Sequence, residues 1–210
     1  MKKLILCMML CVAIGATAKE KRDDSKYLAG AVPEVNGIVT FQKNFSVPGK
    51  SAGEVALTMK TYVMQLVNNS IPAPGNFARV MEEGEDGIVA RVCEWLVFTK
   101  KFMNLDRTRF RYQIEVKTKG TRVEMTVHQL TYYYGENSET GEGGQVFKAE
   151  EWISDKEALN KAKTKLYPKS GKFRRKTVDR MEQLFDDAMD LFEVQETVPV
   201  KPVRKGVVED

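Results

Sequence analysis

Apolar and polar residues alternate along much of this chain, and where alternation stops a helical spacing takes over. Gly37 to Phe45 places Val39, Phe41 and Phe45 on one face, which predicts a first strand ended by Pro48-Gly49. Ser51-Ala-Gly-Glu54 is a capping box. Val55, Met59, Tyr62, Val63, Leu66 and Val67 follow at helical spacing, which predicts a helix to about Asn69. Four strand candidates come next: Phe77–Glu83, Ile88–Phe98, Arg107–Thr118 and Thr121–Tyr134. In the third, Phe110, Tyr112, Ile114 and Val116 share a face opposite Arg109, Arg111, Gln113, Glu115 and Lys117. Lys119-Gly120 reads as a two-residue hairpin turn. In the fourth strand the apolar phase slips from Val123, Met125 and Val127 to Leu130, Tyr132 and Tyr134. A slip of one residue would turn the face over, so a β-bulge is expected near His128-Gln129.

The Gly135–Gly144 segment reads as a mobile loop. Ser154-Asp-Lys-Glu157 is a second capping box, opening a short helix to about Lys163. Tyr167-Pro168 and Gly171 interrupt it, and a last helix runs from about Phe173 to Phe192 on a stripe of Val178, Met181, Phe185, Ala188 and Phe192. The order β-α-β-β-β-β-α predicts an α+β domain with an antiparallel sheet and the helices on one face.

The ends read differently. Lys2 and Lys3 precede an uncharged apolar run and the small-x-small pattern Ala16-Thr17-Ala18, as in an export signal cut after Ala18. The run is too short to span a bilayer. The chain thus divides into a signal (1–18), an arm (19–35), the domain (36–194) and a flexible tail (195–210). The expected product is periplasmic or secreted. Neither Cys7 nor Cys11 follows the small residues of a lipoprotein signal, so no lipid anchor is expected. Cleavage leaves Cys93 as the sole thiol, read as packed in the core. It also leaves 31 basic against 29 acidic residues, too even a balance to drive nucleic-acid binding.

Four stretches carry a family resemblance: Asn36-Gly-Ile-Val-Thr-Phe41, Cys93-Glu-Trp95, Leu105-Asp-Arg-Thr-Arg-Phe-Arg-Tyr112 and Glu150-Glu-Trp-Ile-Ser-Asp155. Over about Val35–Val194 the chain resembles exported proteins of Bacteroides-type bacteria, classed as a domain of unknown function with a TATA-binding-protein-like fold. The resemblance implies that fold. It implies no reaction, cofactor or site residue.

The search for chemistry is therefore residue by residue. His128 is the only histidine, so no two-histidine metal site can form. No phosphate-binding glycine loop appears, and no cofactor or metal is expected. Glu94 alone interrupts the apolar face Ile88, Ala90, Val92, Leu96 and Phe98; it needs a partner such as Arg109 or Arg111, or it is a catalytic acid of raised pKa. Lys161–Lys176 carries eight basic residues and no acid, and Thr177–Glu196 carries seven acids and one base. That places cations at the start of the last helix, against its dipole. Lys172, Arg174 and Arg175 would suit an anion there, or form a solvated surface. Trp95 lies on a second apolar face that is expected to be covered, by the Gly144–Pro168 segment, a second subunit or a ligand.

The leading reading is a non-enzymatic exported binding module using Arg91, Trp95, Arg109 and Arg111 on the sheet, with Lys172, Arg174 and Arg175. Its partner would be an anionic glycan, a lipid headgroup or an envelope protein. A hydrolase of envelope or dietary polymers with Glu94 as acid, and a structural partner in an envelope assembly, are the alternatives.

Overall fold

The computed structural model describes residues 22–73, 77–101, 104–137 and 140–192. The expected signal and the tail lie outside them. The elements are β1 (Glu34–Val35), β2 (Ile38–Val39), β3 (Phe41–Ser46), α1 (Ala52–Asn68), β4 (Arg79–Gly84), β5 (Gly87–Lys101), β6 (Asn104–Lys119), β7 (Arg122–Tyr134), β8 (Gln145–Lys148), α2 (Asp155–Ala158) and α3 (Pro168–Asp190). The sheet is antiparallel in the order β3-β7-β6-β5-β4, with β8 joined to the far half of β7. The chain is thus the expected α+β fold, with an added β8 and a two-stranded ribbon of β1 and β2. Asn36 and Gly37 turn that ribbon at φ 52° and 77°, as a two-residue hairpin turn requires.

Both long helices lie on one face. Phe110, Tyr112, Ile114, Val116, Val123, Met125, Val127 and Tyr132 point at them and are buried. Val55, Met59 and Val63 of α1, with Phe173, Met181 and Leu184 of α3, close that core. The Tyr62 hydroxyl donates to the Leu184 carbonyl and ties α1 to α3. The expected bulge is present. Gln113 pairs with His128 and Arg111 with Thr131, so β7 carries one extra residue there, and Gln129 takes φ 56°. The extra residue returns Leu130 and Tyr132 to the helix side.

Three expectations shift. The β6–β7 turn is Gly120-Thr121, since Lys119 pairs with Arg122. Helix α2 is a single turn, although Ser154 caps it by accepting from the Glu157 N–H. Helix α3 starts at Pro168 rather than Phe173. Proline is tolerated at the first helical position, where its missing N–H has no intrahelical partner. Gly171 inside the helix is required by close approach, because a Cβ there would sit 2.9 Å from the Leu166 side chain.

Residues 22–33 form a docked segment rather than a loose arm. Tyr27 donates from its hydroxyl to Asp179 at 2.9 Å, Lys26 pairs with Asp179 and Glu182, and Val32 is buried.

Candidate functional site on the open sheet face

The side of the sheet turned away from the helices carries a grid of cations and aromatic rings. Strand alternation puts Arg91, Cys93 and Trp95 of β5 on this side, with Arg107, Arg109 and Arg111 of β6 and Thr131 and Tyr133 of β7. Trp95 is opposite Arg109, which is opposite Tyr133, and Cys93, Arg111, Thr131 and Lys148 form the next row. Arg79 and Arg91 are directly opposed, an arrangement that like charges disfavour.

The rings hold the guanidinium groups. The Arg107 Cζ lies 3.8 Å from the Trp95 ring centroid and the Arg109 Cζ 5.2 Å from it. Arg109 and Arg111 also approach the Tyr133 ring, at 5.9 and 5.6 Å. Of these arginines, Arg109 alone has a carboxylate: Glu136 reaches it at 2.7 Å, and both side chains are about nine-tenths buried. Among the described residues, Arg79, Arg91, Arg107 and Arg111 have no ion pair. The Arg111 Nε is cut off from solvent and has no hydrogen-bond partner.

Of the Gly135–Gly144 segment, expected as a mobile loop, the described residues 135–137 and 140–144 pack over part of this face. The Tyr133 hydroxyl donates to the Gly141 carbonyl and accepts from the Gly144 N–H. A Cβ on Gly144 would lie 2.6 Å from the Tyr133 ring, so only glycine allows that approach. This loop was not among the covers expected for the Trp95 face, and its contacts are with Tyr133 and Arg109. The Gly144–Pro168 segment instead packs at the helix side, where Trp152 stacks on Phe147 at 4.4 Å and meets Phe173 edge-on. Beside the bulge, a cleft of about 680 Å³ opens between Arg91, Arg111 and Gln129 on one side and Lys148 at the end of β8 with Glu150 and Glu151 just beyond it on the other.

The anion site expected at Lys172, Arg174 and Arg175 does not form. Arg174 is 0 % exposed, and its guanidinium donates to the carbonyls of Tyr27, Leu28 and Ile153 and to Asp155. Burial is the largest influence on Asp155 and would raise its pKa, but the Arg174 bond and charge, the Gly30 N–H and the Lys163 charge together outweigh it and the pKa falls. Arg175 makes a two-pronged pair with Asp24, whose pKa that pairing lowers. Lys172 donates to Asp106 and to the Tyr134 hydroxyl, both at 2.7 Å. Burial works against the Lys172 charge, yet these bonds raise its pKa. All three cations thus serve the chain's own docking. They also sit inside α3, past its free first-turn N–H groups.

Glu94 has a different partner from the expected Arg109 or Arg111. It lies opposite Phe110 and so faces the helices, whereas both arginines face away. Arg180 of α3 grips it with two bonds of 2.8 and 3.0 Å. Burial disfavours the Arg180 charge, but the bonds to Glu94 raise its pKa above the ordinary arginine range. Burial, and then the Glu94 charge, push the Tyr112 hydroxyl up. Cys93 is 1 % exposed, as expected of a packed thiol.

Alternation from Arg109 also reaches Arg107, and alternation past the bulge reaches Tyr133; both signals were in the sequence and neither residue was singled out. Lys148 and Glu136 have no such signal: the pairing of β8 with β7 brings in the first, and the loop after β7 the second.

A family model described as a domain of unknown function (DUF4468) with TBP-like fold matches residues 41–133. A crystal structure of a DUF4468 family protein from Bacteroides ovatus is 38% identical, with a TM-score of 0.72 over 85% of this chain and 100% of that one. The chain belongs to the DUF4468 family. A TBP-like protein from Parabacteroides distasonis, 17% identical with a TM-score of 0.62 over 79% of this chain and 99% of that one, shares the fold. No curated protein matches the chain. The DUF4468 assignment brings no chemistry with it, so function has to be argued from the sheet face.

Proposed function

We propose that this DUF4468 protein is an exported, non-catalytic binding module that takes an anionic partner on the open face of its sheet. The observation that carries this reading is the set of guanidinium groups on that face, Arg79, Arg91, Arg107 and Arg111, that have no ion pair among the described residues. Uncompensated cations, three of them (Arg79, Arg107 and Arg111) set against rings, form a preorganised field for a carboxylate, sulfate or phosphate. The Trp95 ring is already covered by Arg107, so a ligand meets guanidinium edges before it meets the indole. That favours an anion over stacking of a neutral sugar. Export, read from residues 1–18, puts the partner in the periplasm or outside the cell.

Glu94 does not support the hydrolase alternative. Its carboxylate is held by Arg180 between sheet and helix, away from the arginine face. The test is retention of the mature protein on immobilised anionic polysaccharide across a salt gradient, with duplex DNA as a second matrix. The reading predicts salt-sensitive retention on polysaccharide, lost in R91E/R107E. Retention equal in that variant, or stronger on DNA, contradicts it. Fractionation of the native host places the protein inside or outside the inner membrane.

A further inference from the structure

The cleft beside the bulge is more selective than the rest of the face. Arg91 and Arg111 stand on its sheet wall, diagonal to each other on neighbouring strands. Lys148, Glu150 and Glu151 stand on the other side. Glu150 accepts from the Val39 N–H at 2.8 Å, which fixes its carboxylate at the rim while leaving its second oxygen available. Glu151 is only loosely paired with Lys148, at 3.7 Å and with both side chains exposed. Across the cleft, neither arginine reaches either glutamate within ion-pair distance.

We infer that this cleft is the subsite for an acidic sugar. A carboxylate or sulfate of the sugar lies against Arg111 and Arg91, and ring hydroxyls donate to Glu150 and Glu151. The inference rests on the anion-binding reading and narrows its ligand. Three observations choose this class. The first is the Arg111 guanidinium on the cleft wall, which has no carboxylate partner among the described residues and whose Nε makes no hydrogen bond. The second is the pair of glutamates: they repel a bare inorganic anion but accept from hydroxyls. The third is the charge of the lining, three cations against two carboxylates, which leaves one positive charge for a monoanionic unit and none for a zwitterion to neutralise.

The experiment is titration calorimetry of the full mature chain with trigalacturonate, maltotriose, inorganic sulfate and glycine as separate probes. Wild type is expected to bind trigalacturonate and to bind the other three at least tenfold more weakly. R111Q is expected to weaken trigalacturonate at least tenfold with little change in melting temperature, since the guanidinium has no ion pair and its Cζ stands 5.6 Å from the Tyr133 ring. E150Q separates the sugar from the ion: it should weaken trigalacturonate yet strengthen sulfate, because its amide oxygen still serves Val39 and its charge is gone. Trigalacturonate affinity unchanged in R111Q overturns the subsite. If R91E/R107E abolishes binding in the same series, the anion-binding face survives that failure. If neither variant matters, both readings fall. Glycine or sulfate binding as tightly as trigalacturonate, or no binding of trigalacturonate at all, overturns the sugar assignment.

Discussion

Replacing Arg174 with Met tests how the N-terminal segment is held. The substitution keeps most of the side-chain volume and removes the charge and every donor. The guanidinium is fully buried and makes four hydrogen bonds of 2.5–2.6 Å, to the carbonyls of Tyr27, Leu28 and Ile153 and to Asp155. Without it, three carbonyls lose a charged donor and Asp155 loses its main counter-ion. Asp155 keeps the Gly30 N–H and a longer contact to Lys163, which moderates the loss. Breaking a buried pair by removing one partner costs about 3–5 kcal/mol, and that range covers the case. Against a typical total stability of about 5–15 kcal/mol this is a large fraction. With a urea slope of about 2 kcal/mol per molar, the unfolding midpoint should fall by roughly 2 M. Limited proteolysis should also begin cutting near Lys26, because the segment loses its anchor. A midpoint shift below about 0.5 M, with residues 22–33 still protected, refutes the reasoning. Lost anion binding at unchanged stability would return Arg174 to the role expected from sequence.

Other consequences follow from the same geometry. E94Q should cost about 1–3 kcal/mol in chemical unfolding, since a charged hydrogen-bonded pair becomes a neutral one; turnover of any polymer substrate that disappears in E94Q would instead support catalysis. Asp24 and Asp155 both have folded pKa values below the ordinary aspartate value of about 3.9. Their contribution is therefore present above that value and is lost as pH falls through it toward the folded values. Melting temperature should drop on acidification below about pH 4, and D155N should flatten that drop; an equal acid response in D155N contradicts the assignment. G87A should destabilise by about 1–3 kcal/mol in thermal unfolding, because the new Cβ would lie 2.6 Å from the Val116 carbonyl oxygen, and an unchanged melting temperature would count against that contact.

Much of the sheet was legible because its signals are local. Alternation from Phe110 to Val116 set the buried face of β6, and the slip at His128-Gln129 gave the bulge. The Ser51–Glu54 box gave the start of α1. Pro168 and Gly171 hid the first turn of α3, so Arg174 and Arg175 were placed at the helix start rather than inside it. Arg174 already lay inside the predicted helix, four residues before Val178 on the stripe of Val178, Met181 and Phe185, and that spacing was the signal of its burial. Two of its four acceptors lie 146 and 147 residues away in Leu28 and Tyr27 and the other two 21 and 19 residues away in Ile153 and Asp155, and no spacing rule links them. The partner of Glu94 failed for a related reason. Arg109 and Arg111 were near in the sheet but of opposite parity, and the true partner came from a helix. On the open face, Arg91, Trp95, Arg109 and Arg111 were all found by alternation and are grouped on one side by the fold. The cleft beyond them depends on where the chain after β8 returns, which alternation does not encode.

The central claim is that unpaired arginines on the open sheet face hold an anionic partner outside the cytoplasm. Native mass spectrometry of the protein purified from its own compartment tests it directly. The account predicts a chain cut after Ala18 carrying an acidic ligand, and the same chain bare when Arg91, Arg107 and Arg111 are replaced by Gln. A ligand retained equally by that variant, or a chain that keeps residues 1–18 and carries nothing, would contradict it.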